Sequence, residues 1–79
     1  MIEKILVLST AHMPNSDPDF GDLRVLRGTY EHIIPCVARA DMITEWWSPI
    51  MEKALTDGCS YICFEADGDI YDQFETYNW

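Results

Sequence analysis

Met42-Ile43-Thr44-Glu45-Trp46-Trp47-Ser48-Pro49-Ile50-Met51-Glu52-Lys53-Ala54-Leu55-Thr56-Asp57 is the stretch that decides the fold. Apolar pairs recur every four positions, at Met42-Ile43, Trp46-Trp47, Ile50-Met51 and Ala54-Leu55, with polar residues or proline between them. A strand alternates singly, so the period predicts a helix over residues 42–57. Asp41 is placed to cap it and Gly58 to end it. A repeat of four drifts about 40° per turn against the helical 3.6, which widens the apolar arc to roughly 220° over four pairs. One sheet face does not cover such an arc. Either Pro49 resets the phase, or part of the Trp46/Trp47 surface faces a partner. Proline inside a helix costs about 3 kcal/mol, so the milder arrangement starts the regular helix at Ser48 with Pro49 as its first residue.

Two apolar runs flank this helix. Ile5-Leu6-Val7-Leu8, closed by Ser9-Thr10, reads as a strand buried on both faces, and Tyr61-Ile62-Cys63-Phe64 reads as another. Between Ala11 and Asp22, two prolines, a glycine and three aspartates mark a loop or at most one helical turn. Leu23-Arg24-Val25 alternates, and Gly28-Thr29 separates it from Tyr30 to Val37, which suits a type II′ hairpin with Gly28 at the positive-φ position. The competing reading is a helix capped by Asp17, entered at Pro18 and stopped at Gly28. Pro35 places the second hairpin strand at an edge or on a bulge. The expectation is a single small α+β domain over residues 1–79. Strands near 3–9, 23–27, 30–38 and 60–65 form one mostly antiparallel sheet packed on one main helix, with a βαββαβ ferredoxin-like arrangement as the alternative.

Five Lys and Arg against fourteen Asp and Glu give a net charge of −9. That charge argues against direct contact with nucleic acid or anionic lipid, and for a basic protein surface as partner. At 48% apolar and 13% aromatic residues the chain is too hydrophobic for a disordered acidic tail. A domain of this size buries only about 60% of its unfolded surface, so a homodimer or partner contact is a natural source of further stability. No stretch approaches the roughly 18–20 apolar residues of a membrane span, and an odd count of cysteines (Cys36, Cys59, Cys63) without a secretory signal reads as reduced thiols in a cytoplasm.

The opening strand closed by Ser9-Thr10-Ala11-His12 resembles a family of small uncharacterised proteins encoded largely on phages, plasmids and integrated elements of bacteria. Asp57-Gly58-Cys59 leading into a strand, an acidic turn and Thr76-Tyr77-Asn78-Trp79 carries the same resemblance at the other end. The likeness is poor between residues 13 and 41, and members more often carry Asp in place of Asn78. The first ten residues are also similar to the start of a type I anti-CRISPR protein. The resemblance implies a mobile-element origin and no established activity.

No residue pattern spells out a reaction. His12 beside Ser9 and Thr10 lacks the nucleophile elbow and orienting acid of a triad, and reads as a structural histidine. His12, His32, Cys36, Cys59 and Cys63 include no pair at Cys-x-x-Cys spacing, and Glu65, Asp67 and Asp69 supply only half of a calcium loop. No catalytic residue, metal or cofactor is assigned. The last segment is informative in another way. Glu65, Asp67, Asp69, Asp72 and Glu75 occur with no basic residue and with Tyr71, Phe74, Tyr77 and Trp79 interleaved, so the rings are expected to pack on the sheet and leave the carboxylates outside. These five acids with Trp46 and Trp47 are the candidate partner-binding residues. The functional expectation is a non-enzymatic protein of a phage or mobile element that inhibits a nucleic-acid-handling defence complex of its host, CRISPR or restriction, either by charge mimicry or through a hydrophobic interface at Trp46 and Trp47. The alternatives are a small enzyme or metal-dependent module centred on His12, and a structural homodimer.

Overall fold

A computed structural model of the chain describes residues 4–15, 18–20, 23–28, 31–37 and 45–77. Strand β1 spans Ile5–Ser9 and runs into a 3₁₀ turn at Thr10–His12. Strands β2 (Leu26–Arg27) and β3 (Glu31–Pro35) follow, then helix α1 (Ser48–Thr56) and strand β4 (Tyr61–Glu65). The four strands form one sheet in the order β1-β4-β3-β2. β1 and β4 are parallel, and the other two pairings are antiparallel. This is the expected α+β domain. The ferredoxin-like alternative needs a second helix, and α1 is the one α-helix among the described residues.

Helix α1 covers one face of the sheet. Its Ile50, Met51 and Ala54 join Leu6 and Leu8 of β1, Ile34 of β3, and Ile62 and Phe64 of β4 in a single core, with Met13 and Phe20 from the loop. Strand periodicity sends the alternate residues, Ile5 and Val7, to the opposite face, where they are 50% and 38% exposed. β1 is therefore covered on one side only, not on both as its continuous apolar run suggests.

The helix is shorter than its periodicity. It begins at Ser48 with Pro49 in its first turn, where the missing N–H costs nothing, and Trp47 occupies the N-cap position without a side-chain hydrogen bond. Asp41 and residues 42–44 lie outside the described residues. Gly58 ends the helix as expected, at φ +75°.

The hairpin forms, with a corrected turn. Arg27 pairs with His32, and Gly28 N–H donates to the Glu31 carbonyl at 2.9 Å, so Gly28 continues the ladder instead of opening the turn; residues 29 and 30 lie outside the described ones. Gly28 itself has no positive φ. The competing helix is absent among the described residues of 18–27. β3 is an interior strand, against the expectation that Pro35 marks an edge or bulge. Cys36 N–H bonds Ser60 across to β4, so the neighbouring position 35 faces the other way, beyond the end of the short β2, where no N–H is needed.

Candidate partner-binding site

The chain after β4 is stitched back across the end of β1. A turn closes from Gly68 N–H to the Glu65 carbonyl at 2.9 Å, and Ser9 N–H then donates to the Asp69 carbonyl at 2.8 Å. Gly68 is needed here: a Cβ on it would stand 2.5 Å from the backbone carbonyl carbon and oxygen of Leu8. Ser9 shapes the following 3₁₀ turn by accepting from Ala11 N–H at 3.0 Å. That turn points His12 inward, where it is 1% exposed.

His12 is a clamp. Its Nε2 accepts from Tyr71 N–H at 3.0 Å, which leaves the proton on Nδ1 to donate to the Glu75 carbonyl at 2.8 Å. Phe74 meets the imidazole edge-on at 5.8 Å, and Tyr77 N–H closes the strap on the Ala11 carbonyl at 2.8 Å. Tyr71 and Phe74 pack against the core while Asp67, Asp69, Asp72 and Glu75 stay exposed, as the interleaving suggests. Both imidazole nitrogens are committed to backbone, which leaves no lone pair for a base or a metal.

Between the start of α1 and this strap runs an open groove of about 300 Å³. Trp46, Phe74 and Tyr77 line it with Glu45, Gln73 and Glu75. The indole of Trp46 is fixed by its Nε1–H to the Asp19 carbonyl at 2.9 Å and by Phe20 and Phe64 at ring distances of 5.2 and 5.6 Å. The Tyr77 hydroxyl donates to Glu75 Oε2 at 2.9 Å, and this bond raises the phenol's pKa above its usual value.

The structure divides the residues expected to bind a partner. Trp46 and Glu75 come together in the groove. Trp47 is 1% exposed, a core residue with no surface for a partner, because the helix starts one residue later and turns it inward. Asp67, Asp69 and Asp72 follow the strap outside the groove, and Glu65 ends β4 directly opposite Glu31. Glu45, Gln73, Phe74 and Tyr77 were missing from the sequence-derived set. Only the clamp at His12 brings the last three beside the helix start, and no local pattern encodes it.

No group of three His, Cys, Asp or Glu among the described residues is placed to hold a metal ion. Cys36 and Cys59 interact, but as thiols: burial, with Cys59 adding, pushes Cys36 up to about 11. Lys53 pairs with Asp57 at 2.9 Å and lies 5.9 Å over the Tyr71 ring, and Lys4 Nζ donates to the Asp57 carbonyl, so Asp57 adds little free charge. No helix among the described residues is long and apolar enough to cross a membrane.

Among the described residues, fold and groove together define a two-layer arrangement, one mixed sheet under one α-helix, whose acidic strap closes an aromatic groove. Over residues 5–79 the chain matches, and belongs to, the C-terminal domain of a family of unknown function, DUF5983. This fits the expected membership of an uncharacterised family. No curated protein and no solved structure matches the chain.

Proposed function

We propose that the protein is a non-catalytic binding module for a basic protein surface, and that the groove beside α1 receives an arginine or lysine side chain of that partner. One observation carries this reading: Trp46, Phe74 and Tyr77 line the groove together with the carboxylates of Glu45 and Glu75. Aromatic faces attract a cation by about 0.5–2 kcal/mol, and more as water is excluded. Carboxylates at the same groove supply the charge-assisted hydrogen bonds that fix such a cation. The strap beyond it adds exposed Asp67, Asp69 and Asp72, which steer a cationic partner from a distance.

The narrower reading is inhibition of a host nucleic-acid-handling defence complex, of the CRISPR or restriction kind, by a protein of a phage or mobile element. Its support is the net charge of −9 and the resemblance of the two chain ends. A cytoplasmic site of action goes with it. The groove is tested by titrating the full chain with a short arginine-containing peptide and following the Trp46 indole N–H by NMR. Shifts confined to Trp46, Phe74 and Tyr77 are expected, and an unmoved Trp46 resonance rejects the reading. The defence role is tested by phage plating on hosts with and without each system. Expression of the protein should raise plating only where a system is present.

A further inference from the structure

The face of the sheet opposite α1 is apolar, with Ile5, Val7 and Leu26 exposed, Ile33 and Tyr61 half-buried, and Cys63 buried at its centre. Strand alternation places Ile5 and Val7 of β1, Tyr61 and Cys63 of β4, Ile33 of β3 and Leu26 of β2 there. Leu26 is 60% exposed and Ile5 50%. The two ends of this face carry opposite charge. At one end Arg24 lines a hollow of about 280 Å³ with Leu26, Ile33, Pro35 and Tyr61. At the other, Glu31 and Glu65 stand directly opposite each other across the β3–β4 pair. Like charges at facing positions destabilise a sheet unless a cation joins them.

We infer that this face binds a second copy of the chain, sheet against sheet, about a two-fold axis that crosses the strands. Packed sheets keep their strands nearly aligned, so the two-fold runs either along the strands or across them. An axis along the strands stacks Glu31 and Glu65 on their own copies. An axis across the strands reverses one sheet and brings Arg24 of each copy to the Glu31 and Glu65 end of the other, twice per dimer. Charge therefore selects the second arrangement. Arg24 and Glu31 cannot satisfy each other within one chain, because four residues of extended strand separate their ends of the face by about 13 Å. Three strands of five residues and the two-residue β2 present roughly 270 Å² per copy, well below the roughly 800 Å² per partner of a stable interface. The dimer is accordingly weak, and the −9 charge of each chain opposes it further at low salt.

The test is sedimentation of the full chain from about 10 μM to 1 mM, the range of a weak dimer, at physiological ionic strength, where repulsion between the −9 chains is screened. Wild type should shift from monomer to dimer across this range. Val7→Glu, on the exposed face of an edge strand, should remain monomeric with an unchanged circular dichroism spectrum. Arg24→Glu and Glu31→Arg should each weaken the dimer at least tenfold, and the double variant should restore it, since only a contact between copies pairs these two positions. A wild type that stays monomeric throughout overturns the inference. So does a dimer that ignores Val7→Glu, or single charge reversals that the double variant fails to rescue. Because the groove lies on the other side of the sheet, the peptide titration of Trp46 is unaffected by any of these outcomes.

Discussion

His12 and Glu75 are 63 residues apart in the chain, yet the imidazole Nδ1 sits 2.8 Å from the Glu75 carbonyl oxygen. The same ring holds Tyr71 N–H through Nε2, so one side chain fastens the strap at two points four residues apart. Removing it leaves a donor and an acceptor unpaired in a part-buried site, each costing about 1–3 kcal/mol. His12→Ala should therefore destabilise the protein by about 2–4 kcal/mol and speed amide exchange at Tyr71 and Tyr77 before it affects β3 and β4. Equal loss of protection everywhere would mean that the strap is not a separate unit.

Gly68 and Gly58 make a matched pair for a second test. Gly58 holds a positive φ with open space around its would-be Cβ, so Gly58→Ala should cost only about 1 kcal/mol, the backbone penalty. Gly68→Ala meets the Leu8 backbone, which cannot swing aside as a side chain can, and should cost about 1–3 kcal/mol. The Gly68 variant should also lose the Ser9–Asp69 hydrogen bond, visible as faster exchange of the Ser9 amide. Equal effects from the two alanines would show that the turn can lift off β1 freely.

Helix α1 gives a third. Pro49 stands in the first turn, so Pro49→Ala should change the melting free energy by less than about 0.5 kcal/mol, where an interior proline would release about 3. Ala54 is fully buried against the sheet, and Ala54→Gly should destabilise by about 1 kcal/mol or more through lost propensity and packing. Strong stabilisation by Pro49→Ala would place regular helix upstream of Ser48.

The sequence pattern carried the helix from Ser48 on, strands β1 and β4 and the hairpin, because each is a local pattern: apolar pairs every four positions, a continuous apolar run, or two short strands about a turn. Its errors have a common cause. The continuous run Ile5 to Leu8 looked doubly buried, and the Trp46/Trp47 pair looked like one surface, because periodicity reports which residues are apolar and not how many layers cover them. Pro35 in an interior strand is a similar case, tolerated only because β2 stops short of it. The groove was illegible for a different reason. It exists because His12 closes a contact with Glu75 over 63 residues, and no spacing within the tail foretells that.

Cys36 offers a pH test. Burial, with Cys59 adding, raises its thiol from an ordinary 9.0 to about 11, so the folded state favours the protonated form. A folded value above the unfolded one contributes stability that is complete below about pH 9 and fades as pH rises through 11. The stability difference between wild type and Cys36→Ala should therefore be constant up to pH 9 and shrink above it. Alkylation of Cys36 in the folded protein should be slow at pH 8 and climb with hydroxide toward pH 11. Fast labelling at pH 8 would mean that the thiol is not desolvated.

The acidic residues separate into two groups with different expected signatures, and this division tests the proposed function most directly. Glu45 and Glu75 sit at the aromatic groove, where water is excluded when a cation enters. Asp67, Asp69 and Asp72 lie on the strap outside it, exposed to solvent. Neutralising a charge that makes a desolvated contact raises the dissociation rate, by about 2 kcal/mol or more in affinity. Neutralising remote solvated charges mainly slows association and flattens the salt dependence. With the arginine-containing peptide, the Glu45→Gln/Glu75→Gln pair should thus lose at least tenfold in affinity through faster release. The Asp67→Asn/Asp69→Asn/Asp72→Asn triple should lose only a few-fold, chiefly at low salt. Trp46→Phe keeps a ring in the groove with a weaker quadrupole, and should fall between them. If the triple variant instead loses most of the binding and the glutamine pair almost none, recognition runs along the strap, as a phosphate-mimicking surface would have it, and the groove is not the site.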